Sequence, residues 1–362
     1  MRPSSGPPRL FERGQELERL TEAVEGARSG RPGLVVIEGP GGIGKTRLLV
    51  ETRRQAKTLG IRVLSARGDD REQRLPFGIV DQLFAGEPGA REARERPSRG
   101  TVEDDADVSF ATLAHLHELT ERLAAGGPLL LVVDDAHLSD APSLHFLGYL
   151  ARRLDRTPVT LVLAIRPFER TDEAALLASL IGDPHAIAVR PAPLSEAATS
   201  ELIAEGLGQE PDSGFSSTCR RATGGNPLLL GELVKTLRHM QVAPVADGIP
   251  RVAELGPRAL LRTVLVRLSG LGTDAELLSR AIAVLSDAAD LPLAGELAGL
   301  DGDLAREAAS RLIGAEVLAD GAAVRFVHPL VGAAVYETIP APERDRAHER
   351  AAAVLRERGH PA

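Results

Sequence analysis

The chain has 362 residues, enough for two or three domains, and its 43 basic and 51 acidic side chains give a formal net charge of −8. This acidic balance provides no general attraction to nucleic acid or to an anionic membrane surface. The single cysteine, Cys219, excludes an internal disulfide and a cysteine-based metal site. No apolar run approaches the roughly 18 residues of a spanning helix, so we expect a cytoplasmic protein that does not enter the membrane.

The first half of the chain alternates helical and strand patterns. An amphipathic helix over 15–29 leads into a short apolar strand over 34–37, a glycine-rich loop over 39–46 and a helix that ends at Gly60. Further buried strands are predicted over 62–66, 129–133, 159–165 and 186–189. Helices are predicted over 110–124 and 142–153. This alternation is typical of an α/β fold with a doubly wound parallel sheet.

The charged stretch 85–108 is rich in Pro and Gly, and we expect it to be a surface loop or a disordered insertion. After residue 192 the strand patterns stop and helical patterns follow over 195–206, 213–222, 227–239, 256–269, 274–286 and 303–313. Residues 317–327 predict two short strands around an Asp-Gly turn. Helices over 329–338 and 343–357 complete a winged-helix-like pattern.

We therefore expect three domains: a nucleotide-binding P-loop domain over 1–192, a helical lid over 193–270, and a winged-helix-like domain with the final helices over 271–362.

The glycine-rich loop carries the most specific motif. Its residues match G-x-x-x-x-G-K-[ST], the Walker A pattern: Gly39, Pro40, Gly41, Gly42, Ile43, Gly44, Lys45 and Thr46. In this pattern backbone N–H groups surround phosphates, the lysine reaches the β- and γ-phosphates, and the hydroxyl of Thr46 binds Mg²⁺.

A second motif follows the apolar segment 129–133. Asp134 and Asp135 come directly after it, as in a Walker B strand, where the first carboxylate holds Mg²⁺ through water and the second polarises the attacking water. Asp135 is shorter than the glutamate of fast ATPases, so we expect slow turnover.

Arg166 ends the predicted fourth strand and is a candidate γ-phosphate sensor, although a surface strand end would look the same. His137 is equally compatible with a nucleotide sensor and with an ordinary loop histidine.

Taken together, these motifs resemble the N-terminal ATPase region of large LuxR-type transcriptional activators, relatives of the maltose-regulon activator among the STAND-class AAA ATPases. The resemblance extends over residues 9–362. It rests on seven segments of the sequence: LFERGQELERL, GPGGIGKTRLL, LPFGIVDQLF, LLLVVDDAHLSDAPSLHFLGYLARRL, LAIRP, TGGNPLLLGEL and VRFVHPLVGAAVYETIPAPERDRAHERAAAVL. Two positions depart from the family pattern, because Leu138 stands where Trp is usual and Gly14 where an acidic residue is common.

The resemblance implies specific roles for individual residues. Glu12 and Arg13 would lie near the nucleotide base. Arg47, which directly follows the phosphate-binding loop, is also expected to bind the nucleotide. Asn226 and Pro227 of the GNP motif would approach the base or ribose, and His328 would contact nucleotide in a closed state. Without the resemblance, residues 223–227 are equally compatible with a plain helix boundary, and His328 with a packed histidine.

The function implied is an ATP- and ADP-binding switch that hydrolyses ATP slowly with Mg²⁺ and self-associates in its ATP state. In such regulators a DNA-binding helix-turn-helix follows the ATPase region, and we expect none within these 362 residues. Two alternatives stay open. One is a P-loop phosphotransferase acting on a small molecule or protein, with an arginine-rich lid in 85–108. The other is a DNA-binding winged helix, which the alternating charges of the last predicted helix disfavour.

Overall fold

The computed structural model describes residues 9–69, 73, 75–95, 110–156, 158–166, 172–253, 268, 270–286, 290–315, 317–319, 324–326 and 329–357. The chain divides into two compact units. The first comprises Met1–Pro40 and Gly44–Ala192, and the second comprises Gly41–Ile43 and Pro193–Ala362. The expected division into three domains, at 192 and 270, stays a prediction.

The first unit is built on a five-stranded parallel sheet, which confirms the predicted fold class and all five predicted strands. The strands are β1 (Gly33–Glu38), β2 (Arg62–Arg67), β3 (Leu129–Asp134), β4 (Val159–Ile165) and β5 (Ala186–Val189). Their order in the sheet is β2-β3-β4-β1-β5. Strand β4 therefore lies between β1 and β3, and it pairs with both in parallel.

Seven helices accompany the sheet in the described part of the first unit: α1 (Gly14–Arg28), α2 (Lys45–Thr58), α3 (Gly78–Leu83), α4 (Ala90–Glu95), α5 (Phe110–Ala124), α6 (Ala141–Ala151) and α7 (Asp172–Ile181). Strands β3 and β4 are buried at every position because helices cover both faces of the sheet. Successive side chains of a strand point to opposite faces. Leu131 accordingly belongs to one hydrophobic cluster, whereas its neighbours Leu130 and Val132 belong to another on the opposite face.

Short helices appear where the sequence patterns did not predict them. Helices α3, α4 and α7 are examples, and α4 corrects part of the loop expected over 85–108. Helix α4 is held by an ion pair from Arg94 to Asp81 of α3, with Nη1 and Oδ2 2.5 Å apart. Ala93 also packs into the core. The apolar positions here are too few for a periodic signal to stand out. Residues 96–109 of the expected loop lie outside the described residues.

The described part of the second unit contains eight further helices: α8 (Glu196–Leu207), α9 (Ser213–Thr223), α10 (Pro227–His239), α11 (Thr273–Leu285), α12 (Leu291–Ala298), α13 (Gly302–Gly314), α14 (Pro329–Glu337) and α15 (Ala341–Glu357). Helix α12 was not predicted, and the helix expected over 256–269 lies outside the described residues except for 268. Helices α11 to α15 share one hydrophobic core. The predicted strand pair is represented by an antiparallel bridge between Leu318 and Phe326, while turn residues 320–323 are outside the described part.

No helix in the described ranges is both long enough and apolar enough to cross a membrane. The cytoplasmic location stays a prediction.

The core of the first unit provides a test of packing. Phe146 of α6 is fully buried and meets Phe84 edge to face, with ring centroids 5.9 Å apart. We expect Phe146→Ala to lower the free energy of unfolding by about 3–5 kcal/mol, because the large cavity left behind cannot close. Phe110→Ala is the control. Its ring is 76% exposed and meets Tyr149 edge to face with centroids 6.1 Å apart, so its effect should stay below about 1.5 kcal/mol. If urea denaturation found the same loss of unfolding free energy in Phe146→Ala and Phe110→Ala, the buried position of Phe146 would be contradicted.

Candidate functional site

Walker A residues 39–44 form the loop between strand β1 and helix α2, and Lys45 and Thr46 are the first two residues of that helix. Gly42 and Gly44 have φ angles of +82° and +109°, a left-handed region that glycine enters without strain. Gly44 is also the N-cap of α2, so no side chain caps this helix. The positive end of a helix dipole that follows a glycine-rich loop is a general binding place for anions such as phosphate.

Lys45, the first residue of α2, is buried, with only 5% of its surface exposed. Its Nζ donates to the carbonyl oxygens of Gly39 and Pro40, at 2.5 and 3.0 Å. A buried ammonium needs such acceptors, because leaving its charge without a partner is costly. The lysine side chain therefore folds back over the loop. Arg47 is the third residue of α2, within the first turn of the helix.

The Walker A and Walker B motifs meet through one side-chain hydrogen bond. Thr46 Oγ1 donates to Oδ2 of Asp134 at 2.9 Å. Asp134 is the last residue of β3 and is 92% buried, and its Oδ1 accepts from the backbone N–H of Asp135 at 3.0 Å. The two motifs are 88 residues apart in sequence, and the sheet brings them together.

Asp135 has a strained backbone, with φ at +48°, and its side chain is largely buried. Its Oδ2 lies 3.3 Å from Nη2 of Arg67 at the end of β2. Gly68 is required next to it, because a Cβ there would lie only 2.3 Å from the carbonyl oxygen of Asp135. Arg67 was missed by the sequence reading, although its parallel register opposite Asp134 would have pointed to it once β2 and β3 were known to be neighbours.

Asp140 is a second residue that the sequence analysis missed. It is 97% buried and caps α6 by accepting from the N–H of Ser143. The same carboxylate accepts from the backbone N–H groups of Phe77 and Ile79, at 2.8 and 3.4 Å. Because one side chain holds the starts of both α3 and α6, it fixes the segment that follows the Walker B aspartates.

Arg166 comes directly after β4, between the strands that carry the two Walker motifs. Its Nε is buried and has no hydrogen-bond partner within the described residues, and the same holds for Nδ1 of His137. Buried polar atoms without partners are rare in native proteins, and at a site they commonly await a ligand or water. Burial, together with the positive charges of Arg166 and Lys45, lowers the pKa of His137 to about 4, with Asp135 acting in the opposite direction.

Glu12 and Arg13 precede helix α1. Glu12 has φ at +51°, and Arg13 is buried, with 4% of its surface exposed. The guanidinium of Arg13 donates to the carbonyl oxygens of Glu12 and Ala192, at 2.9 and 2.8 Å, and Glu16 lies 3.7 Å away. Burial lowers the pKa of Arg13, while the two glutamates oppose that shift. The arginine therefore ties the first described residues to the segment after β5.

Asn226 and Pro227 begin helix α10 in the second unit. Pro227 is the first helical residue, and Asn226 Oδ1 caps the helix by accepting from the N–H groups of Leu228 and Leu229. The side-chain Nδ2 of Asn226 donates to the carbonyl oxygen of Gly41 at 2.9 Å. Gly41 belongs to the same unit. The last predicted site residue, His328, lies outside the described residues.

In the described ranges no group of three or more His, Cys, Asp or Glu side chains is arranged to hold a metal ion. The candidate magnesium ligands at the Walker motifs are Thr46 and Asp134. The other ligands of the ion would be nucleotide oxygens and water, which is the usual way that proteins bind this cation.

Comparison with known proteins finds similarities to ATPase domains in part of the first unit. Residues 9–163 match the model of the AAA ATPase domain family. An uncharacterized protein of Rhizobium meliloti is 28% identical over 328 residues, which cover 78% of this chain and 30% of that protein. The chain thus spans about a third of the length of this curated relative.

Two solved structures resemble the chain in fold. A Walker-type ATPase of Pyrococcus abyssi has a TM-score of 0.54 at 15% identity, over 92% of this chain and 98% of that one. The ORC1 protein of Aeropyrum pernix, solved in complex with DNA, has a TM-score of 0.52 at 17% identity, over 95% of this chain and 96% of that one. At this identity the likeness concerns the fold, which is that of P-loop ATPases.

The lowered pKa of His137 makes a prediction about pH. The imidazole of His137 binds a proton more weakly in the folded state than in the unfolded state. As the pH falls below about 6.5, the unfolded state is therefore protonated first, and the free energy of unfolding decreases until about pH 4. We expect His137→Gln to remove up to roughly 3 kcal/mol of this acid destabilisation. Denaturation curves at pH 7.5 and 4.5 measure it, with exposed His185→Gln as the control. Identical pH dependence in wild type and His137→Gln would contradict the assignment.

Proposed function

We propose that this chain is an ATP- and ADP-binding molecular switch, the ATPase module of a LuxR-type transcriptional regulator. In this proposal it hydrolyses ATP slowly with Mg²⁺, and the bound nucleotide controls its assembly. The observation that carries the proposal is the 2.9 Å hydrogen bond between Thr46 and Asp134. It supports the proposal because the two side chains that Walker motifs use for Mg²⁺ are close enough to approach one cation.

The oxygen and N–H groups at the Walker motifs fit a nucleoside triphosphate and its metal ion. Oxygen ligands from a threonine hydroxyl and an aspartate suit a hard cation such as Mg²⁺. When bound, Mg²⁺ would neutralise charge on the β- and γ-phosphate oxygens. The uncapped N-terminus of α2 and the left-handed glycines suit the phosphates themselves. Lys45 would exchange its hydrogen bonds to the loop carbonyl groups for hydrogen bonds to phosphate oxygens. Its buried ammonium group would therefore keep acceptors in both states.

Slow hydrolysis follows from the position of Asp135. A general base must come within hydrogen-bond distance of the water proton that it accepts. The Asp135 carboxylate is instead paired with Arg67 and is one methylene shorter than a glutamate. Arg166 directly follows β4, the strand between those of the two motifs, where its guanidinium would stabilise negative charge that develops on a γ-phosphate.

A switch requires that ATP and ADP bind two conformations with different affinities. A difference of about 5.5 kcal/mol is needed to move a population from 1% to 99%. We propose that ADP holds a resting state and that exchange for ATP permits self-association.

Promoter binding would come from a DNA-binding domain outside these residues, and the proposal includes no membrane contact. Support for a larger regulator comes from the seven family-like sequence segments and from the relative in which the matched region is 30% of the protein.

Nucleotide binding is tested at Lys45. Protein purified without added nucleotide and then denatured should release ADP, which chromatography identifies, whereas Lys45→Ala should release none. We expect this variant to weaken ADP binding by at least 100-fold, because it removes the only lysine of the loop from a buried phosphate site. Lys57→Ala is the matched control, since Lys57 lies exposed at the other end of α2. If Lys45→Ala still bound ADP, the assignment of this loop as the nucleotide-binding site would be wrong.

Hydrolysis and assembly are tested at Asp135. We expect Asp135→Asn to bind ATP with nearly unchanged affinity but to hydrolyse it at least tenfold more slowly, because an amide cannot accept the water proton. Light scattering after size exclusion should then find this variant assembled in ATP and dissociated in ADP. Asp155→Asn, outside the site, is the control. A variant that hydrolyses ATP at the wild-type rate would exclude Asp135 as the base, and a mass independent of nucleotide would exclude the switch.

A further inference from the structure

The phosphate-binding loop is anchored by two hydrogen bonds from the start of helix α10. Asn226 Nδ2 donates to the carbonyl oxygen of Gly41 at 2.9 Å, and the backbone N–H of Leu228 donates to the carbonyl oxygen of Gly42 at 3.2 Å. All of these residues lie in the second unit. Two consecutive carbonyl groups of the loop are thus held by one helix start.

Fixing these carbonyl groups also fixes the direction of the amides that follow them. In a trans peptide the C=O and N–H bonds point in opposite directions. The N–H of Gly42 therefore points away from Asn226, and the N–H of Ile43 points away from Leu228. In Walker A loops, backbone N–H groups of this segment are the ones that surround phosphate oxygens.

The contact is tight enough to depend on the glycine at its centre. A Cβ on Gly42 would lie 2.8 Å from Oδ1 of Asn226 and 2.8 Å from Cβ of Leu228. Such distances are too short for non-bonded atoms, so any larger residue would push the helix start away from the loop. The absent side chain at position 42 is what allows this approach.

An asparagine is needed at position 226 because both ends of its amide are used. The oxygen caps α10, and the NH₂ group donates to the loop. The side-chain caps of the other described helices come from aspartate or serine: Asp140, Ser195, Asp290 and Asp301. An ionised aspartate would cap α10 equally well, but it has no proton to donate to Gly41.

We propose that Asn226 is a positioning residue that orients the Gly41–Gly42 and Gly42–Ile43 peptide groups for binding the phosphates of a nucleotide. This inference rests on the proposed nucleotide-binding function. It differs from the base or ribose contact that the family resemblance implies, since the amide of Asn226 is committed to the loop and to the helix cap. The ligand group affected is the pyrophosphate part, whatever base it carries.

The test compares ADP with pyrophosphate, which has no base or ribose. Asn226→Ser keeps an uncharged capping oxygen but loses the donor to Gly41. We expect the dissociation constants of both ADP and magnesium pyrophosphate to rise about five- to tenfold, as measured by competition against a fluorescent ADP analogue. Asp290→Ser is the matched control, because it exchanges the cap of α12, and both constants should stay at wild-type values.

The outcomes separate the possible roles. Unchanged affinities in Asn226→Ser, or weaker ADP binding with unchanged pyrophosphate binding, would overturn the inference, and the second result would assign Asn226 to the base or ribose. Asn226→Asp, which preserves a strong cap, replaces the serine variant if thermal unfolding finds that variant unfolded. A wild-type protein that binds no ADP would instead remove the proposed function itself.

Discussion

The parallel alignment of the sheet is the constraint on which the candidate site depends. Parallel strands end at the same edge, so residues that follow β1, β3 and β4 become neighbours although long stretches of chain separate them. The hydrogen bond between Thr46 and Asp134 is the direct consequence. Strand β4 lies between the other two strands, and this order places Arg166 between the Walker motifs.

Buried polar groups around this edge form two classes. Asp140 and Asp134 have their partners within the protein, Asp134 through the exposed Thr46, and these bonds hold the loop geometry in place. Arg166 Nε and His137 Nδ1 have none in the described residues, and their burial keeps the electrostatic field strong. A site with a rigid, satisfied frame and a few unsatisfied cationic or neutral donors is suited to an anionic ligand.

The phosphate-binding loop is restrained at its beginning and at its centre by different means. Lys45 holds the carbonyl groups at its beginning, whereas Asn226 and Leu228 hold those at its centre. Such preorganisation reduces the conformational entropy that a loop would lose when it orders around a ligand. The same bonds make the loop conformation sensitive to the start of α10, a property that a nucleotide-dependent switch requires.

The sequence by itself determined the five strands, the Walker motifs and most helices, because burial in a parallel sheet demands short apolar runs and phosphate binding demands specific glycines. Arg67 and Asp140 were decided by the tertiary structure, since their partners are 68 and 63 residues away in sequence, and no local pattern encodes such pairs. Asn226 was predicted to be a site residue. Its bond to Gly41 depends on a contact across 185 residues, which only folding creates.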